Sequence, residues 1–498
     1  MNLNKIYTAC FLSLFVLLSL GATAQKKEKK EKKEKKAVSE IKMIFPGLED
    51  TVLYLASYYA DMNLVYDTLY PLPHDPSVFV SRKDTLIPRG IYLLGNQNKV
   101  KLMDIVVDSS HSFTIETNKL NPAKPDIPSN VRFVNSPENE TANTFFLTMS
   151  SFQRKIFGLN NSLKTEESSQ TPDMALIEQY KTNRRLCQDS MRMYMRDFAD
   201  ENRHTLFGKA QLLMHEVEIP EPPRREDGSL VDSNFAYYYY INHYWDNADL
   251  TDPALIATPV FYPRLTKYFE DVVPPLVDSI TKYADLLLNK VKDTPELFKY
   301  IVWYITNKYE RSQYVAHDAV FVHMVENYYG KGLCPWTDEA VLERMINRAT
   351  QLNPLLIGKT APELYMIDTN GRIRSNYESP RKYTVMWFWD VNCGICKTSS
   401  PKLVEFYNRA KDSLDFEIYA ICITPDMEKW KQTVREREFP WINVGGNQMN
   451  IDYRIAYDIS SAPVIYVLDN EKKIIAKKIS SDELESVLRS YDEGRVRY

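Results

Sequence analysis

The sequence predicts a multidomain chain: an N-terminal β-sandwich-like domain, a central α-helical domain and a C-terminal α/β domain. Three observations carry this. Residues 40–135 hold short β-branched and aromatic runs separated by Pro, Asn, Asp and Ser, the pattern of short strands joined by turns. Residues 140–350 place apolar side chains at helical spacing. After Asn353-Pro354 the two patterns alternate around Tyr383–Trp389, a nearly continuous apolar run of the kind that forms a strand buried on both faces.

The 498 residues suit two to four domains, and 44% apolar with 26% charged residues exclude a disordered chain. Residues 1–24 read as a secretory leader. Lys5 supplies the positive start, Ala9–Leu20 the apolar stretch, and Ala22-Thr23-Ala24 the small-residue cleavage pattern before Gln25. A retained membrane anchor is the other reading of this stretch. Lys26–Lys36, with eight Lys and three Glu, is expected to be a charged tether within residues 25–39. It is read as a weak contact for anionic membrane surfaces or, more plainly, as a solvated spacer. Taking the leader's +1 and the run's +5 from the net −4 leaves −10 for the body, which argues against nucleic acid as a partner.

The β-rich unit, expected over 40–138, has strand candidates at Val52–Leu55, Val78–Val80, Gly90–Leu94, Ile105–Val107 and Phe113–Ile115; residues 121–130, with three prolines, read as a loop. The helical unit, expected over 139–353, has helices predicted at Met174–Phe198, Leu265–Val291, Glu296–Tyr309, Asp318–Tyr329 and Asp338–Leu352. In the third unit, 354–498, Leu364–Ile367 and Arg372-Ile373 flank the Asn370-Gly371 turn of a hairpin. Strands then follow at Tyr383–Trp389, Phe416–Ile423, Val464–Leu468 and Ile474–Lys478. Helices are expected at Lys397–Ala410, Met427–Glu438 and Ser481–Arg489, the last capped by Ser481.

Cys393-Gly394-Ile395-Cys396 lies between the buried strand and a helix. A thiol at the first turn of a helix meets unpaired N–H groups and the positive end of the dipole. Both favour thiolate, and in such motifs the thiol pKa falls from about 8.5 to about 7 or lower. Cys393 is therefore the candidate nucleophile, and Cys396, one turn on, the resolving thiol. Gly394 is expected to let the turn form.

These residues and their flanks resemble the thioredoxin superfamily, in its exported TlpA- and ResA-like branch. Trp387-Phe388-Trp389-Asp390-Val391-Asn392 resembles the family's approach to the first cysteine. Pro401 matches the proline in its active-site helix, Ser461-Ala462-Pro463 its cis-proline loop, and Gly358-Lys359-Thr360-Ala361-Pro362 its lead-in. The resemblance implies a thioredoxin fold for the third unit and a thiol–disulfide oxidoreductase in the periplasm or cell envelope, working without a cofactor. Implied partners are exported protein thiols and disulfides and a membrane or periplasmic electron donor. Implied site residues are Cys393 and Cys396, a cis Pro463 facing them beside Ala462, and Trp389 and Asp390 in the approach. Trp387 stands where thioredoxin keeps a buried Asp, so Asp390 is the nearest carboxylate for proton transfer; its plainer reading is a solvent-facing loop residue. The larger arrangement is similar to Bacteroidetes proteins with β-rich and helical leading domains, which brings no chemistry for those domains.

Other readings stay open. Cys393 and Cys396 would make half a zinc site, with no second pair nearby. A peroxidase of the peroxiredoxin type would need Pro and Thr or Ser where Met386 and Asp390 stand. A binding or envelope-assembly protein, with redox activity secondary, would use the long N-terminal part. Cys422 reads as an inert core thiol. Cys187 and Cys334 read as buried or unpaired, with a bridge as the alternative. His317 and His323 are badly spaced for a metal. Tyr237–Tyr240 with Trp245 reads as packed aromatic core or, second, as a carbohydrate or peptide platform.

Overall fold

The computed structural model describes residues 39–117, 131–312, 314–446 and 449–495. The leader, the Lys26–Lys36 run and the 121–130 loop lie outside the described residues. Among the described residues nine strands come first: β1 (Ser39–Ile44), β2 (Leu53–Tyr59), β3 (Met62–Leu69), β4 (Pro71–Leu72), β5 (Asp75–Lys83), β6 (Gly90–Gly95), β7 (Lys101–Val107), β8 (Ser112–Glu116) and β9 (Arg132–Val134). They form two sheets, ordered β4-β5-β1-β8-β9 and β3-β2-β6-β7. Alternate side chains turn inward, as the strand period of two requires. Met43, Phe79 and Ile115 from the first sheet and Leu55, Leu94 and Ile105 from the second share one core. The sandwich-like expectation holds.

Nine α-helices follow among the described residues: α1 (Pro137–Glu167), α2 (Met174–Glu201), α3 (Leu206–Met214), α4 (Phe235–His243), α5 (Phe261–Lys267), α6 (Val277–Val291), α7 (Pro295–Glu310), α8 (Asp318–Met324) and α9 (Glu339–Leu352). α1 and α2 form an antiparallel hairpin, since a six-residue loop leaves the chain no room to do otherwise; Arg184 reaches Asn160 across it at 3.2 Å. The single helix expected over Leu265–Val291 is instead two. Pro274-Pro275 cannot continue a helix, so α5 ends in a π-helical turn, Tyr268–Val272, and α6 starts afresh. The Tyr237–Tyr240 run is packed core only in part: Tyr237 and Tyr238 are exposed, whereas Tyr240 packs against the core that buries Tyr244 and Trp245. No helix among the described residues is long and apolar enough to cross a membrane.

The remaining elements are β10 (Tyr365–Asp368), β11 (Ile373–Ser375), β12 (Tyr383–Trp389), α10 (Gly394–Ala410), β13 (Phe416–Cys422), α11 (Met427–Glu436), β14 (Ile442–Gly445), α12 (Tyr453–Ala456), β15 (Val464–Leu468), β16 (Ile474–Ile479) and α13 (Leu484–Asp492). Their sheet runs β11-β10-β14-β13-β12-β15-β16, with β12 parallel to β13 and antiparallel to β15. Every β12 residue is buried. Val385, Trp387 and Trp389 face the core that also holds Leu403 of α10, while Met386 and Phe388 face the opposite core with Tyr453 of α12. This is the α/β thioredoxin fold expected. Helix α13 begins later than Ser481, with Glu483 at its N-cap; Glu483 instead takes the Ser480 N–H and hydroxyl at 2.8 and 2.7 Å.

Polar bonds join the three parts. Arg89 meets Asp252 through two bonds of 3.0 Å, and Asn139 bonds both the N–H and the carbonyl of Val106. On the other side, Arg348 of α9 grips Asp458 at 2.6 and 3.0 Å, and Lys477 of β16 pairs with Asp318 of α8.

Candidate active site

Strand β12 delivers the chain into a short loop at 390–392, and Cys393 occupies the N-cap of α10 in an extended conformation (φ −70°, ψ 120°). Its Sγ accepts the Cys396 backbone N–H at 3.1 Å. A Ser or Asp at an N-cap makes the same bond to the third helical N–H, so the first turn of the helix presents a donor to any negative charge on this sulfur. Cys393 is half-buried, and its thiol also reaches the Ala462 carbonyl at 3.4 Å. The Ala462–Pro463 peptide is cis. The Cys393–Ala462 contact sets this loop directly against the first cysteine.

Cys396 is different. It is 2% exposed and sits in the core with Trp387, Trp389 and Leu403. Burial first, then the hydrogen bond with the Cys393 sulfur, pushes its thiol up to about 12, with the Asp390 backbone N–H pulling the other way. One cysteine is reachable beside a donor; the other is shielded behind it.

The supporting residues sort by contact. Asp390 shapes the loop: its carbonyl takes the Cys393 N–H at 3.1 Å and its carboxylate the Asn392 N–H at 2.6 Å. That carboxylate has no hydrogen bond to either sulfur among the described residues, and its charge adds a smaller upward push on Cys396. Trp389 is 2% exposed and stacks on Trp387 with centroids 5.3 Å apart. It supports the pair from behind and presents nothing to a substrate. Trp387 itself fills with an indole the space where the family's Asp would stand. Gly394 has no left-handed φ, and a Cβ there would meet nothing within 4 Å. The turn does not require glycine; its absence of side chain leaves the approach to Cys393 bare. Pro401 removes the N–H that would bond the Lys397 carbonyl, and Arg437 fills that vacancy, donating to Lys397 O at 3.0 Å.

A groove of about 380 Å³ opens beside the pair, lined by Ile395, Thr398, Lys402, Pro463 and the end of β16. Ile395 is 66% exposed. Sequence reasoning passed over it, although an aliphatic side chain on the solvent side of a helix start was the available signal. Burial pushes Cys422 and Cys334 up to about 12 each, as befits inert core thiols. Cys187 and Cys334 are not bridged. His317 and His323 are taken by Ser312 and Asp285, and no cluster among the described residues could hold a metal.

The thioredoxin-like family model matches residues 381–474. Among solved structures, a domain of a possible thiol-disulfide isomerase from Cytophaga hutchinsonii is 39% identical over 28% of this chain and 97% of its own, with a TM-score of 0.27. The thioredoxin domain of a thiol-disulfide oxidoreductase from Bacteroides vulgatus is 30% identical over 27% and 96%, with a TM-score of 0.26. A thiol:disulfide interchange protein from a Bacteroides species is 29% identical over 28% and 91%, with a TM-score of 0.25. No curated protein matches the chain. The family match falls on the C-terminal part, and through it the chain belongs to the thioredoxin-like thiol–disulfide oxidoreductases.

Proposed function

We propose that Cys393 and Cys396 form the redox pair of an exported oxidoreductase that reduces or exchanges disulfides in extracytoplasmic proteins. The observation that carries this reading is the N-cap bond from Cys396 N–H to Cys393 Sγ, with Cys396 shielded behind it. The Cys393 thiolate attacks one sulfur of a substrate disulfide; a Cys393–substrate bond forms and the other substrate sulfur leaves as thiolate, taking a proton from solvent. Cys396 then loses its proton and attacks the Cys393 sulfur, releasing the second substrate thiol. Two electrons pass from the pair to the substrate, and a separate dithiol donor restores the pair. Ala462 and Pro463 offer the edge along which a substrate backbone lies.

With dithiothreitol as donor, the chain from residue 25 reduces insulin, and Cys393→Ser abolishes this. A wild-type rate equal to the dithiothreitol background overturns the reading.

Export rests on the leader, followed by the Lys26–Lys36 tether. Edman sequencing of protein from its native envelope fraction begins at Gln25; a start at Met1 removes the argument for cleavage. Residues 40–138, 139–353 and 354–498 are proposed as the three units of the mature chain.

A further inference from the structure

The groove beside the cysteines does not end at the C-terminal domain. Lys478, at the end of β16, lines it and also lines a second hollow of about 250 Å³ against the helical domain. That hollow shares Glu310 and Arg348 with a third and larger cleft, of about 730 Å³, between α7 and α9 and beside the β2–β3 turn. The joints are braced: Asp458 takes both Arg348 and Lys478, at 2.6 and 2.7 Å. Three concavities thus follow one another from Ile395 and Pro463 to the helical domain, through side chains that each belong to two of them.

The far cleft has the chemistry of a surface that holds chain segments of varied sequence. Tyr300, Trp303 and Trp336 line it, with Trp303 45% and Trp336 36% exposed. Partly exposed indoles are unusual in a finished core, and rigid aromatics bind apolar and aromatic groups at small entropic cost. Lys299 and Arg344 stand on the rim, the Lys299 ammonium lying over the Trp336 ring at 5.9 Å. Glu310 and Asp338 are the acids there, and the Asp338 carboxylate is occupied in capping α9 at 3.0 Å. The three hollows together exceed the roughly 300–1,000 Å³ of a small-molecule site. Their continuity with the reactive pair favours an occupant that also reaches Cys393.

We infer that the aromatic cleft of the helical domain holds an unfolded polypeptide segment whose disulfide lies at Cys393. This rests on the redox reading above and names its substrate class: non-native, extended protein disulfides, selected by flanking aromatic and aliphatic residues. The helical domain then raises affinity for chains over small disulfides.

Two measurements test it, each on the chain from residue 25. The first compares reduction of scrambled ribonuclease with reduction of 5,5′-dithiobis(2-nitrobenzoate). Trp303→Ala with Trp336→Ala lowers kcat/KM for the protein about tenfold, through KM, as loss of exposed aromatic anchors does, and leaves the small disulfide unchanged. Val341→Glu puts a charge into the same cleft from an exposed position on α9 without removing core packing, and has the same selective effect; unchanged circular dichroism shows that both variants fold. The second measures anisotropy of a fluorescent, carboxymethylated α-lactalbumin, which has no free thiol, with the Cys393→Ser chain; the cleft variants weaken this binding about tenfold as well. Equal loss on both substrates, or no loss on the protein, overturns the inference and assigns the cleft to a small ligand or a second copy. Cleft-dependent binding with no disulfide reduction by wild type would sink the redox reading alone.

Discussion

Cys396→Ser accumulates a covalent adduct with a disulfide-bearing protein, visible as a thiol-sensitive band, while Cys393→Ser traps none. The asymmetry follows from position. Cys393 is half-buried at the open end of α10, takes the Cys396 N–H at 3.1 Å and is reached from the solvent side of the Ala462–Pro463 loop. Cys396 is 2% exposed, and burial first, with the Cys393 hydrogen bond second, holds its thiol near 12. Once Cys393 is in a mixed disulfide its hydrogen bond and negative charge are gone, but burial, the largest cause, stays. Resolution by wild type therefore needs a proton removed from a thiol that is mostly protonated at neutral pH. Its rate rises with pH, up to about tenfold per unit between pH 7 and 9, in proportion to the thiolate fraction. Iodoacetamide at pH 7 modifies Cys393 before Cys396, checked by peptide mass after timed quenching. Modification of Cys396 first, or an adduct in Cys393→Ser, reverses the roles.

The parts of this site that were legible in the sequence are those set by local chemistry. β12 was legible because all seven of its residues are buried, so no polar position interrupts the run. The cysteine pair was legible because its meaning depends on lying between that strand and a helix. The cis loop at Pro463 came from resemblance alone. α1, at 31 residues, was not singled out because only a few of its side chains, such as Ala142, Phe145 and Leu163, are buried, so its apolar spacing is thin. β3 was hidden for a related reason: Met62–Val65 are exposed and carry no alternation. Ser481 looked like a cap, but Glu483 turns back to Ser480 and the helix starts beyond it. Contacts that close over long separations were invisible. Nothing local distinguishes Lys477, in a strand reading Ile-Ile-Ala-Lys-Lys-Ile, from an exposed edge lysine, because Asp318, which covers it, lies 159 residues away.

That pair gives the largest expected effect on the assembly of the chain. Lys477 is 2% exposed; its ammonium is held by Asp318 and by the Leu355 carbonyl at 2.7 Å. Burial holds the lysine below its ordinary range and the Asp318 carboxyl above its own, with the mutual attraction working against both. The two shifts agree in meaning: each charge loses more water than its partner fully replaces. Breaking such a pair leaves one uncompensated charge in the interface, which costs about 3–5 kcal/mol, whereas replacing both members with apolar groups is often neutral or stabilising by about 1–4 kcal/mol. Asp318→Asn therefore destabilises the C-terminal domain in the full chain by about 3–5 kcal/mol at pH 7, read as a lower urea midpoint for tryptophan fluorescence. Asp318→Leu combined with Lys477→Met restores the midpoint to wild type or above. An Asp318→Asn midpoint equal to wild type, or a double variant no better than the single one, means that the helical and C-terminal domains are held by the Arg348–Asp458–Lys478 bonds and not by the buried pair.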